Sequence, residues 1–172
     1  MNLLVTCARN LESETEDEIK KILNESGDQK PEIYKSDMRG ILFVNTNTET
    51  SKIIDWIKKK ITEEPWSVRY CLRIIPIQIE TDTTIEKIKQ SVQKLKNIIP
   101  KNDSYRITIE KRNSDMPSKE IITGVANLFS NKVSLDLPDW IILIEILGSK
   151  TGISILKKDG IFRLEKSKRE SE

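Results

Sequence analysis

Residues 140–144 read Trp140-Ile141-Ile142-Leu143-Ile144, five apolar side chains with no polar break. A strand with one wetted face alternates apolar and polar residues. One that does not alternate is covered on both faces, as the inner strands of α/β sheets are. The run is also far shorter than the roughly 20 apolar residues needed to cross a bilayer. The chain is therefore expected to be organised around a sheet in which this is a central strand.

Downstream, Gly148-Ser149-Lys150-Thr151 separates this strand from another, Gly152 to Leu156. Upstream lie a short strand at Val133-Ser134-Leu135, a helix over 117–129 built on Ile121, Ile122, Val125, Leu128 and Phe129, and an alternating strand from Tyr105 to Glu110. Pro100 and Asn102-Asp103 close an earlier helix, 84–99, whose apolar face is Ile85, Ile88, Val92, Leu95 and Ile99. In the first half, Leu3-Leu4-Val5 opens a strand, and an acidic helix over 13–26 gathers Ile19, Ile22 and Leu23 before Gly27 stops it. Glu32-Ile33-Tyr34 and Gly40 to Asn45 make two strands around a turn at Asp37 to Gly40. A helix over 48–63 spaces Ile53, Trp56, Ile57 and Ile61 and ends at Pro65, and Arg69 to Glu80 is extended. The order β-α-β-β-α-β is the ferredoxin-like plan. The expected class is α/β (α+β), with a ferredoxin-like N-terminal domain over 1–80, a second α/β domain over 81–165 and a disordered charged tail over 166–172.

Composition removes most chemistry. The 172 residues are 37% apolar and 33% charged, with a net charge of only +2. Residues 1–64 hold 10 Lys+Arg against 13 Asp+Glu, and residues 65–172 hold 19 against 14, so a polyanion is expected to dock on the second half. The chain has no histidine, which excludes Ser-His-Asp and Cys-His nucleophile systems and His-ligated metals. Cys7 and Cys71 lack metal-ligand spacing and read as reduced core residues. Gly148 to Gly152 lacks the Gly-Lys-Ser/Thr order of a phosphate loop and leads into a strand, so it reads as a hairpin turn with an exposed lysine. Asp136 and Asp139 flank Pro138 as turn and capping residues. No catalytic residue, metal or cofactor is expected. Met1 to Ala8 reads as a strand rather than a signal peptide, so the expected compartment is the cytoplasm.

The positive signal is cationic. Lys111-Arg112-Asn113 leaves a strand just before a helix that opens at Pro117-Ser118-Lys119. A guanidinium fork, a point charge and an amide beside helix-start N–H groups suit a phosphate, although a polar turn explains the same residues. Ser118 suits either a cap or a phosphate, and the charge of Lys119 opposes the helix dipole unless an anion is near. Arg73, before Pro76, fits either an RNA contact or a cation on a wet edge strand. Gly124 is expected to permit a close approach, chiefly helix against sheet.

The ordered set Arg73-x-x-Pro76, Tyr105 to Asn113, Ser118, Val133-Ser134-Leu135-Asp136-Leu137-Pro138-Asp139 and Ile144-Glu145-Ile146 resembles THUMP-domain proteins, in particular the stand-alone members that assist tRNA cytidine acetylation. The resemblance covers about residues 66–165 and makes the second domain a THUMP domain. It implies a non-catalytic adaptor that grips the acceptor stem and 3′ end of tRNA and presents it to a separate acetyltransferase, which itself uses acetyl-CoA and ATP. By the same resemblance Arg73, Lys111, Arg112, Asn113, Ser118 and Lys119 would line the RNA surface. Three alternatives stay open: the RNA-binding subunit of a thiolation or methylation enzyme, a small-molecule regulatory module, and a purely structural interaction protein.

Overall fold

The first strand, β1 (Leu3–Cys7), is buried along its whole length because it becomes the middle of a five-stranded sheet. The computed structural model describes residues 1–171. It divides into two units, Met1–Pro76 with the segment from Gly160 onward, and Ile77–Asp159.

Unit 1 follows β1 with α1 (Glu12–Glu25), β2 (Glu32–Lys35), β3 (Ile41–Asn45), α2 (Thr50–Glu63) and β4 (Cys71–Pro76). The sheet order β2-β3-β1-β4, antiparallel throughout, realises the expected β-α-β-β-α-β plan. Ile19, Ile22 and Leu23 of α1 and Ile53, Ile54, Ile57 and Ile61 of α2 form one core with Leu3, Val5, Leu42 and Val44 of the sheet. Gly27 stops α1 at φ +118, with its own N–H on Asn24 O and that of Asp28 on Leu23 O, the paired bonds of a Schellman ending. At the β2–β3 turn, Gly40 takes φ +76, and a Cβ there would stand 2.5 Å from the Cys7 carbonyl oxygen, so only glycine fits. Cys7 and Cys71, far apart in sequence, are register neighbours across β1 and β4. Both are free and buried. Burial pushes both thiols up, with the Glu18 carboxylate adding to the effect at Cys71, so they sit as inert core thiols.

The end of the chain differs from expectation. In place of a disordered tail, residues 160 onward return to unit 1: β9 (Phe162–Arg163) adds to the edge of β4, and α5 (Leu164–Ser171) follows. Phe162 is fully buried and joins the unit 1 core, which holds the segment down. Glu172 lies outside the described residues. The extended segment 69–80 is likewise two strands. β4 ends at Pro76 in the first sheet, and β5 (Ile79–Asp82) belongs to the second, so the chain changes units at 76/77 rather than 80/81.

Unit 2 contains α3 (Ile85–Leu95) with a following 3-10 turn, β6 (Tyr105–Arg112), α4 (Ser118–Ala126), β7 (Trp140–Leu147) and β8 (Lys150–Leu156). Its sheet runs β5-β8-β7-β6, and the Trp140–Ile144 run is indeed internal. The parallel pair β6–β7 requires a crossover, supplied by α4. Ile88, Val92, Ile121 and Val125 of the helices cover Ile142, Ile144, Ile146, Ile153 and Ile155 of the sheet. Gly124 serves helix–helix packing instead of helix–sheet packing: a Cβ there would lie 3.2 Å from Lys89 Cδ of α3. The expected strand at 133–135 shrinks to one bridge, Val133 to Tyr105, because the segment diverges after Ser134 N–H reaches the Tyr105 carbonyl. Gly148, at φ +64, turns the β7–β8 hairpin, and Lys150 pairs with Asp82 at 2.8 Å.

Asp28, just after α1, is buried and holds unit 1 together locally. Its carboxylate accepts from Thr46 Oγ1 at 2.6 Å and from the N–H groups of Asn47 and Lys30, both at 3.0 Å. Burial alone would raise this carboxyl. The three donors outweigh burial and hold it below its ordinary value. A depressed folded-state value means that the stabilisation is present above the unfolded carboxyl range, about 4, and disappears as pH falls through the folded value. Asp28→Asn is therefore expected to lower unfolding free energy at pH 7 by about 1–3 kcal/mol and to flatten the loss of stability on acidification. Urea titrations at pH 7 and near pH 3 measure both effects.

Candidate nucleic-acid interface

Strand β6 continues through Lys111 and Arg112, two residues beyond its expected end, paired with Ile146 and Leu147 of β7. Side chains alternate along a strand, so adjacent residues leave on opposite faces. Lys111 shares its face with Ile107 and Ile109, which pack against the unit 2 core below the helices. Its Nζ donates to the Met116 carbonyl at 2.9 Å, just ahead of α4. Arg112 leaves on the other face, where Nη1 lies 3.4 Å from Glu145 Oε2. The expected compact triplet is thus split by the pleat into two cationic positions.

The connection from β6 to α4 is tightly specified. Asn113 adopts φ +54, a left-handed conformation that asparagine tolerates better than most residues. The Arg112 carbonyl before it accepts from Gly148 N–H at 2.9 Å. Ser114 Oγ accepts from Met116 N–H at 3.2 Å. Pro117 is the N-cap of α4, not its first residue, and has no side-chain acceptor to offer. The first intrahelical bond runs from Ile121 N–H to Pro117 O, so the amides of Ser118, Lys119 and Glu120 have no acceptor within the helix. Lys111, Ser118, Lys119 and these amides belong to one end of unit 2, with Glu120 the acidic residue of the first turn. Arg73 belongs to unit 1. On β4 it stands in register with Arg163 of β9, and its Nε donates to Thr6 Oγ1 at 3.4 Å.

Two residues that stand beside candidate cations, Arg163 next to Arg73 and Glu145 next to Arg112, were not singled out from the sequence. Arg163 had no local signal, since nothing near it shows that the chain returns to β4. Glu145 had one: it is the single charge inside Trp140–Leu147, and it is 0% exposed. Tyr105, the aromatic nearest the basic cluster in sequence, is a core residue, buried and tilted against Phe129 at 5.0 Å between ring centroids. Asp139 acts as the expected cap, accepting from Ser104 N–H at 2.8 Å and fastening the 136–139 loop to the start of β6.

Residues 82–156 match the THUMP domain model, and the chain carries a THUMP domain, coincident with most of unit 2. An uncharacterized protein of Methanocaldococcus jannaschii is 28% identical over 102 residues, 56% of this chain but 28% of that protein. Among solved structures, PH1313 from Pyrococcus horikoshii superposes with a TM-score of 0.62 at 21% identity, over 91% of this chain and 55% of its own. TrmN from Thermus thermophilus does so with a TM-score of 0.57 at 10% identity, over 90% and 45%. A 4-thiouridine synthetase–RNA complex with bound ATP gives 0.55 at 9% identity, over 95% and 42%. At these identities the three establish a shared fold. The match spans about half the length of those solved proteins. Among the described residues no helix is long and apolar enough to cross a membrane.

The Arg112–Glu145 pair generates a stability prediction. Removing the cation of a buried pair exposes the carboxylate's desolvation penalty, typically about 3–5 kcal/mol. Arg112 is 29% exposed and Glu145 makes a further interaction besides this pair, so Arg112→Leu is expected to fall at or below the lower end of that range. Arg112→Leu combined with Glu145→Leu should recover most of the loss, as read by urea denaturation of the single and double variants.

Proposed function

We propose that this chain is a non-catalytic tRNA-binding adaptor. Its THUMP domain takes phosphates of the acceptor stem and 3′ end at the junction of β6 and α4 and presents the tRNA to a separate acetyltransferase for cytidine N-acetylation. The observation that carries the binding role is the placement of Lys111 against Met116 O, directly before a helix start whose leading amides have no internal acceptor. Cation, amides and the Ser118 hydroxyl together suit an anion. The THUMP domain supports the same reading, as does a fold neighbour described in complex with RNA. The absence of histidine and the ordered resemblance quoted above favour an adaptor over a catalyst.

A second reading makes the chain the RNA-binding part of another tRNA-modifying enzyme, favoured by the 4-thiouridine synthetase neighbour. Reconstituted acetyl transfer to tRNA with the co-purifying enzyme separates the two. The small-molecule reading has one observation in its favour, a cleft of about 260 Å³ in unit 1 lined by residues including Trp56, Trp66 and Glu64. Much of its charge is already engaged: Lys60 bonds Glu64 at 3.0 Å, which raises the Lys60 ammonium, and Glu18 accepts from the amides of Arg69 and Cys71, both at 2.8 Å.

Fluorescence anisotropy with intact tRNA and with tRNA lacking its 3′ end tests the proposal. Tighter binding to intact tRNA is expected. Lys111→Glu should weaken binding roughly tenfold or more for every tRNA alike and lower the salt slope by about one or more. Equal, background-level binding to both RNAs removes the tRNA reading and returns attention to the unit 1 cleft.

A further inference from the structure

Glu145 is the one charged residue of β7. It sits on β7 between Ile144 and Ile146 and is fully buried. Its register partners are Glu110 of β6 and Gly152 of β8. A like charge directly across the ladder opposes strand pairing, and glycine offers no side chain. Arg112, two positions beyond Glu110 on the same face, reaches it diagonally at 3.4 Å. Buried ion pairs are seldom there for stability, because an apolar pair of similar volume does as well or better. What such a pair does supply is a fixed geometry for a long and otherwise mobile cation.

We infer that Glu145 is a positioning residue for nucleic-acid recognition: by accepting from Nη1 of the Arg112 guanidinium, it leaves the remaining N–H groups to face a phosphate oxygen pair at the end of β6. This inference rests on the tRNA-binding reading above and deepens it. Arginine recognises phosphate through a planar fork, and a fork tethered at one nitrogen loses less freedom when its other donors bind. The partly exposed state of Arg112 suits this division. One side of the group reaches the buried carboxylate, and enough of it remains accessible for a ligand.

The sign of one mutational effect decides the matter. If Glu145 were only a countercharge, Glu145→Gln would remove a negative charge beside Arg112 and strengthen binding to a polyanion. If it positions Arg112, the same change weakens binding although the protein becomes more positive. The expected result is a loss of about tenfold in tRNA affinity for Glu145→Gln. Arg112→Lys, which keeps the charge and loses the fork, should lose a similar factor. In the Arg112→Lys background, Glu145→Gln should produce no further loss, since there is no fork left to orient. The glutamine variant removes the buried charge instead of stranding it, and Arg112 can turn to water, so folding is expected to survive; circular dichroism checks this. As a readout needing no substitution, the guanidinium ¹⁵N resonances of Arg112 in the unaltered protein should show restricted rotation and shift on addition of tRNA.

Unchanged or tighter tRNA binding by Glu145→Gln, with Arg112→Lys still weakened, overturns the positioning role and leaves the tRNA reading standing. A freely rotating Arg112 guanidinium overturns it in the same way. Arg112→Lys and Arg112→Gln proteins that bind tRNA as well as the unaltered chain overturn the placement of Arg112 in the interface, and the role of Glu145 with it.

Discussion

Eight residues of β6 lie in unbroken parallel register against β7, from Tyr105 opposite Trp140 to Arg112 opposite Leu147, and the candidate interface depends on this pairing. Parallel neighbours cannot be joined by a tight turn, so the chain must leave the end of β6, cross over as a helix and return. The helix start therefore falls at the carboxyl end of β6, where open α/β sheets place their ligand sites. The same register decides which side chain goes where. With Ile107 and Ile109 committed to the core beneath the helices, Lys111 must emerge on the helix side and Arg112 on the opposite side. A one-residue slip would exchange them, and would also put Ile107 and Ile109 on the wrong face.

Charge acts locally in this molecule. The sequence reads as an acidic first half followed by a basic second half, but the fold redistributes it. The segment from Gly160 returns four cations to unit 1, which then carries 16 Lys+Arg and 16 Asp+Glu, against 13 and 11 in unit 2. Neither unit has the excess that draws polyanions from a distance. On the proposed tRNA-binding reading, affinity must then come from a few oriented donors at short range. Orientation matters more when there is no surrounding field, which is the setting in which a buried carboxylate beside an arginine makes physical sense.

What could be read from the sequence was what local pattern determines. The unalternated Trp140–Ile144 run, the helical spacing of Ile53, Trp56, Ile57 and Ile61, and the stop at Gly27 each depend on near neighbours, and each stands in the structure in the expected form. The failures are mostly non-local. Phe162 and Arg163 add to β4 across most of the chain, and no local pattern marks so short an edge strand. The pairing of Cys7 with Cys71 needs the β1–β4 register. Val133-Ser134-Leu135 alternates as a strand does, yet Val133, Leu135 and Leu137 stand 51%, 66% and 84% exposed, because the Arg106 guanidinium and the Ser134 hydroxyl bond this segment's own backbone and hold it as a loop. At the site, the residue types were legible, but their separation onto two faces was not. It required knowing that β6 runs on through Arg112.

That separation bears on the kind of ligand the interface suits. Lys111 and Arg112 are consecutive in sequence, yet the strand lies between their side chains, and each is anchored on its own side, one at Met116 O and the other at Glu145. A single phosphate on a small molecule meets the lysine with the start of α4, or it meets the arginine. To engage both, the anion has to pass around the end of β6 and carry charge at intervals along its length. A nucleic-acid backbone does so, because each nucleotide brings a further phosphate, and contacts of this kind set register and orientation without reading bases. The geometry of the strand end thus argues for a chain of phosphates over an isolated one, and it does so from the alternation of two side chains rather than from their charge.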